Sequence, residues 1–142
     1  MLFRSCVKDI IEYEILKKGR KVVLCGSKKD LISFDGDIFD KVLDLRGKTK
    51  IEEIPAIISK SSLVYSVDSG LFHIACLLGI PCKSFFGPID PKSRIEGYDV
   101  SKIKTFTKKD TVEYIPCYDV GCKENKCMEF SKSEILQILE ND

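Results

Sequence analysis

Apolar and polar positions along this chain switch between two periods, and the switches lay out a series of elements. Over residues 2–18, Phe3, Cys6, Val7, Ile10, Ile11 and Leu16 recur near every third or fourth position, which predicts an amphipathic helix. Lys17-Lys18-Gly19 supplies a cationic last turn and a stop. Lys21-Val22-Val23-Leu24-Cys25-Gly26 is instead a short apolar run closed by glycine, the pattern of a buried strand. Residues 28–40 follow neither period, with Asp35-Gly36-Asp37 marking a turn, and Val42-Leu43-Asp44-Leu45 predicts a second strand.

A helix start follows. Thr49-Lys50-Ile51-Glu52 has the Thr-x-x-Glu spacing of a capping box, and Ile51, Ile54, Ile57 and Ile58 supply an apolar face. Pro55 lies one turn in and bends this helix or weakens its start. Residues 63–67 read as a third strand and 71–78 as a short helix, closed by Gly79 and then Pro81. A fourth strand over 82–86 ends at Gly87-Pro88, and 104–107 is a candidate fifth. The last helix spans 131–140, capped by Ser131 or Ser133, with Ile135, Leu136, Ile138 and Leu139 facing inward. Strands alternating with helices at this spacing predict an α/β fold, a parallel sheet with helices on both faces. No internal repeat or low-complexity segment interrupts it, and 142 residues fit one domain, 1–142.

Composition narrows the function classes. A hydrophobic fraction of 44% supports a globular core, and a net charge of +1 argues against a general nucleic-acid binder. No apolar run approaches the roughly 20 residues of a membrane span. Met1-Leu2-Phe3-Arg4-Ser5-Cys6 leads into mixed charges, without the apolar core of a signal peptide, so a soluble cytoplasmic protein is expected. Of seven cysteines, Cys6, Cys25, Cys76 and Cys82 sit in apolar stretches and read as small buried hydrophobes in a reducing compartment. Cys117, Cys122 and Cys127 are spaced by five and fall one short of the four ligands of a structural zinc site. Packing of a long loop is the preferred role for them, and no metal is expected.

The most informative stretch is Val67-Asp68-Ser69-Gly70-Leu71-Phe72-His73, where a strand ends and a helix begins. Ligands of open α/β sheets gather at the carboxyl ends of strands, and a helix N-terminus offers free N–H groups to an anion such as phosphate. Ser69 can cap the helix, and Gly70 lets a ligand approach the backbone. His73, the only histidine, lies four residues after Ser69 and shares its face. A tight turn with a good N-cap and a structural histidine explains the same residues without a ligand. Asp68, Ser69 and His73 do not form a hydrolase triad, because the glycines of a nucleophile elbow are missing. Gly47-Lys48-Thr49 lacks the first glycine of a Walker A loop, where Val42 stands, and Asp35-Gly36-Asp37 lacks the other ligands of a calcium loop.

Gly47-Lys48-Thr49 through Glu52-Glu53-Ile54, then Ser66-Val67-Asp68-Ser69-Gly70-Leu71-Phe72-His73-Ile74-Ala75, Leu78-Gly79-Ile80-Pro81 and Phe86-Gly87-Pro88-Ile89-Asp90-Pro91 together resemble glycosyltransferase family 9. This is the heptosyltransferase family of lipopolysaccharide core synthesis, and the resemblance covers roughly residues 1 to 139. It implies the Rossmann-like, donor-binding C-terminal half of a GT-B fold. The implied roles follow: Asp68, Ser69, Gly70 and His73 hold the diphosphate of a nucleotide-activated sugar, usually ADP-heptose, and Thr49 lies near the nucleobase. No cofactor or obligatory metal is implied. Two departures are expected to matter. The acceptor-binding N-terminal lobe with its catalytic Asp base has no counterpart here, so no catalytic residue is assigned. The chain also begins after the first strand of the donor domain, a central one. The expected partners are a nucleotide-diphosphate sugar and a separately supplied N-terminal lobe or chain, with no nucleic acid and at most peripheral contact with the inner membrane. The alternative is a non-catalytic binding or assembly module that kept the fold; a small redox or zinc protein is the reading left to the late cysteines.

Overall fold

The computed structural model describes residues 3–30, 37–119, 121–124 and 126–141; Asp35 and Gly36 of the expected turn lie outside them. In chain order the elements are α1 (Phe3–Leu16), β1 (Val22–Leu24), β2 (Val42–Asp44), α2 (Ile54–Ile58), β3 (Val64–Val67), α3 (Gly70–Leu77), β4 (Cys82–Phe85), α4 (Lys92–Ile95), β5 (Ile103–Phe106) and α5 (Lys132–Glu140). Two compact units form, one from Met1–Ile51 with Glu129–Asp142 and the other from Glu52–Met128. Among the described residues no helix is long and apolar enough to cross a membrane.

In the first unit, α1 buries Cys6, Ile10 and Ile11, and α5 buries Ile135 and Leu139. Two polar contacts tie the ends of this helix pair. The Cys6 thiol donates to the Phe130 carbonyl at 3.1 Å, and the Tyr13 hydroxyl donates to the Leu139 carbonyl at 3.1 Å. Ser131 begins α5 with a complete capping box: its hydroxyl accepts from Glu134 N–H at 3.3 Å, and the Glu134 carboxylate accepts from Ser131 N–H at 2.7 Å. Such a cap is worth about 1 kcal/mol. β1 and β2 pair in parallel, Val22 opposite Val42 and Leu24 opposite Asp44. Beyond the strands, Leu45 N–H donates to the Leu24 carbonyl and Gly47 N–H to that of Gly26.

Arg46 locks this corner. Its guanidinium grips both Asp44 carboxylate oxygens, at 2.9 and 2.8 Å, and donates to the Asp30 carbonyl at 2.7 Å. The guanidinium holds the Asp44 carboxyl at about 2, well below the usual carboxylate range. The stabilisation is therefore complete above about pH 4, where an unfolded Asp is ionised, and is lost as pH falls from about 4 to 2. Asp44→Asn is expected to cost about 1 kcal/mol at neutral pH, a modest figure because water screens the pair. Urea unfolding of both proteins against pH checks this: the gap between them should narrow below about pH 4 and close near pH 2.

The second unit opens with a departure from the sequence pattern. A 3-10 turn over Ile51–Glu53 leads into α2, whose N-cap position is Glu53 and carries no side-chain cap. The expected Thr49–Glu52 capping box is therefore not the start of the α-helix. Proline has no N–H and fits an α-helix only in its first turn, so Pro55 moves the helix start forward to Ile54. Ile51 is consequently 64% exposed, whereas Ile54 and Ile58 are buried.

β3, β4 and β5 form a parallel sheet with β4 in the centre, Val64 opposite Cys82 and Cys82 opposite Ile103. The strand expected over 82–86 forms as β4, and the whole of it is buried, Lys83 and Ser84 included. α3 sets Phe72, Ala75 and Cys76 into this core. The Phe72 ring meets Phe86 edge to face at 5.5 Å, and Phe85 packs on Phe106 at 5.2 Å. Gly79 ends α3 at φ +64°. Burial pushes the Cys82 thiol up to about 12. Cys6, Cys76 and Cys82 are thus the buried small hydrophobes expected, while Cys25 is only half-buried.

Candidate functional site

The carboxyl end of β3 runs into Asp68 and Ser69, and α3 begins at Gly70. Ser69 occupies the N-cap position in extended backbone (φ −155°, ψ 168°), yet its hydroxyl makes no capping hydrogen bond. The expectation that Ser69 caps the helix holds for its backbone position but not for its side chain. The first-turn amides are left without a side-chain partner of the kind that Ser131 gives α5. A methyl group added at Gly70 would meet nothing within 4 Å. The helix start is therefore open above its backbone.

Side chains border this opening. Asp68 accepts from Arg94 Nε at 3.2 Å, and its other oxygen lies 3.9 Å from His73 Nε2. On the far side of the imidazole, Nδ1 is 3.0 Å from the Tyr98 hydroxyl. His73 keeps 35% of its side chain exposed, so it is not a core histidine. Its ring rests against Phe72 at 5.1 Å, which fixes it from the core side.

A cleft of about 190 Å³ runs beside Asp68, lined also by Val67, Phe85, Gly87, Pro88, Ile89, Asp119 and Met128. Side chains approach Gly87 closely there. A Cβ at this position would lie 2.8 Å from Met128 Sδ and 3.2 Å from Cys127 Sγ. Cys127 is buried, Cys122 half-buried and Cys117 exposed. Tyr118 N–H donates to the Pro88 carbonyl at 2.9 Å, tying the late loop to the glycine-proline turn. Cys127 thus packs this loop onto Gly87.

Asp68, Ser69, Gly70 and His73 converge as the sequence suggests, all within the second unit. Thr49 belongs to the first unit, where it is half-buried just before the 3-10 turn. Two residues escape the sequence reading: Arg94 and Tyr98. The available signal was Asp90-Pro91, which nucleates α4. The Asp90 carboxylate accepts from Lys92 N–H at 3.0 Å, and its carbonyl accepts from Ser93 N–H. A cationic side chain four residues past Asp90 then falls on the turn carrying Asp68. Together the open amides, the Arg94 guanidinium and the imidazole supply donors around one carboxylate, an arrangement suited to an anion.

A sequence profile described as glycosyltransferase family 9 (heptosyltransferase) matches residues 12–127. The chain belongs to glycosyltransferase family 9. Within family 9, lipopolysaccharide heptosyltransferase 2 of Salmonella typhimurium is 29% identical over 85 residues, which is 55% of this chain and 24% of that protein. The chain spans about a quarter of the length of that curated relative. A family 9 glycosyl transferase from Veillonella parvula superposes with a TM-score of 0.68 at 17% identity, over 96% of this chain and 40% of that one. E. coli ADP-heptose lps heptosyltransferase II superposes with a TM-score of 0.59 at 21% identity, over 93% and 41% respectively. These likenesses show the fold: α/β, Rossmann-like, with parallel strands.

Proposed function

We propose that this family 9 chain is the donor-binding part of a glycosyltransferase, 1–142 acting as one Rossmann-like nucleotide-sugar domain. The ligand class is a nucleotide-diphosphate sugar of the ADP-heptose type, and the acceptor is of the lipopolysaccharide type. Transfer requires an acceptor-binding lobe that these residues do not include. Cytoplasmic residence, with peripheral contact at the inner membrane, fits an acceptor of that class.

One observation carries the reading: the first turn of α3 is uncapped and open, and His73 and Arg94 flank it. Sugar transfer leaves growing negative charge on the departing diphosphate. Preplaced donors lower that barrier, because they need no reorganisation as the charge appears. In this reading the amides of Ser69 and Gly70 meet the diphosphate, His73 and Arg94 stabilise its outer oxygens, and Asp68 holds Arg94 beside the imidazole. Thr49 would lie near the nucleobase.

Calorimetry of the full chain with ADP, AMP and an ADP-sugar tests this. ADP should bind at least about tenfold more tightly than AMP, the worth of a single extra charge-assisted contact. Gly70→Ala separates site from fold. Alanine is the better helix former by about 0.5–1 kcal/mol, so the thermal midpoint should hold or rise. The same methyl occupies the open space, and ADP affinity should fall about tenfold, equivalent to one lost contact. A chain that binds neither ADP nor ADP-sugar is the non-catalytic module instead.

A further inference from the structure

Asp68 and Tyr98 present different chemistry to the two nitrogens of His73. A carboxylate only accepts hydrogen bonds, whereas a phenol hydroxyl donates or accepts. Nε2 looks toward Asp68 at 3.9 Å, and Nδ1 contacts the Tyr98 hydroxyl at 3.0 Å. A neutral ring protonated on Nδ1 would turn the Nε2 lone pair toward the carboxylate, which is repulsive. A ring protonated on Nε2 faces Asp68 with a donor and leaves Nδ1 to accept from Tyr98. Only the second arrangement satisfies both neighbours.

From this we infer that Tyr98 and Arg94 are positioning residues that set the donor chemistry of the site. The inference rests on the diphosphate reading above for its ligand, and on geometry alone for its tautomer. The Asp68 carboxylate favours the proton on Nε2, and Tyr98 holds the ring in the orientation that faces it, by donating to Nδ1 at 3.0 Å. Arg94 holds Asp68 through Nε, which stops the carboxylate from folding over the α3 amides and repelling an anion. Among the described residues the two terminal nitrogens of Arg94 have no partner, so they stay available to a phosphate.

The backbone is built for this placement. α4 carries Arg94, and Tyr98 N–H closes back on the Ile95 carbonyl at 3.1 Å. Between them Gly97 takes φ +88°, a conformation that side chains other than glycine's rarely adopt, with open space around it. The turn at Gly97 thereby brings Tyr98 beneath the imidazole from a segment 25 residues distant.

His73 is the only histidine, so imidazole nitrogen resonances need no assignment. The full chain labelled with 15N-histidine is recorded where the ring is neutral, for the native protein, Tyr98→Phe and Gly97→Ala. The native spectrum should show the proton on Nε2. Tyr98→Phe removes only the hydroxyl and should shift the ring toward a mixture of tautomers, with Gly97→Ala moving it the same way. ADP and inorganic pyrophosphate should bind Tyr98→Phe about three- to tenfold more weakly, the range of one modest hydrogen bond. A native ring protonated on Nδ1, or a Tyr98→Phe spectrum identical to the native one, overturns the positioning role even if ADP binds. A native chain with the Nε2–H ring that binds neither ADP nor pyrophosphate overturns the diphosphate reading, and leaves the tautomer assignment upheld.

Discussion

Phe72→Ala should lower the unfolding free energy by roughly 3–5 kcal/mol, the cost of a buried phenyl plus the cavity it leaves. Phe72 is wholly inaccessible to solvent, and its ring stands edge to face on Phe86 beside the central strand. It also lies in an eight-residue helix, far below the length at which isolated helices persist in water. Tertiary anchoring by Phe72, Ala75 and Cys76 is what holds α3 in place. Single domains are stable by only about 5–15 kcal/mol, so this change consumes a large part of the total. The comparison variant is Leu77→Ala, at a position 74% exposed on the same helix. It should move stability by no more than about 0.5 kcal/mol. Urea titrations of the three proteins decide the matter. A midpoint for Phe72→Ala close to that of Leu77→Ala would mean that α3 is not held as described.

The same physics explains what the sequence discloses. β4 is legible because a central parallel strand is buried on both faces, so Cys82 through Phe86 is apolar or small apart from Lys83. Among the contacts of the buried Lys83 is one of its ammonium with the Tyr65 ring at 5.7 Å, between positions 18 residues apart, which no local pattern announces. The α3 stop is legible because glycine at φ +64° and a following proline act locally. The Thr49 capping box misleads for a related reason. Two local signals compete three to six residues apart, and the steric demand of Pro55 outweighs one hydrogen bond from a threonine. At the site, Asp68 to His73 is contiguous and hence readable. Arg94 and Tyr98 reach it only through the α4 turn and Gly97, and long-range placement of that kind leaves no period in the sequence.

His73→Ala should weaken ADP binding by about ten- to a hundredfold, because a hydrogen bond to a charged group contributes roughly 1.5–3 kcal/mol. The imidazole is half-exposed and rests on Phe72, so the fold should lose far less than the ligand does. His73→Gln is the informative partner variant. Its side-chain amide keeps a donor on a stem of similar reach, and affinity should recover in part. If hydrogen bonding carries the effect, Gln lies between Ala and the native chain. If instead His73 only fills space over Phe72, Gln and Ala should behave alike toward ADP and differ in thermal stability. Raising salt adds a second axis. Contacts to an anion at a solvent-open helix start weaken as the Debye length shrinks from about 10 Å at 0.1 M to about 3 Å at 1 M. Native binding should therefore fall with salt, and that of His73→Ala should fall less only if the ring is protonated when the ligand is bound. Equal salt slopes point to a donor without net charge, and a shallower slope for His73→Ala points to an imidazolium.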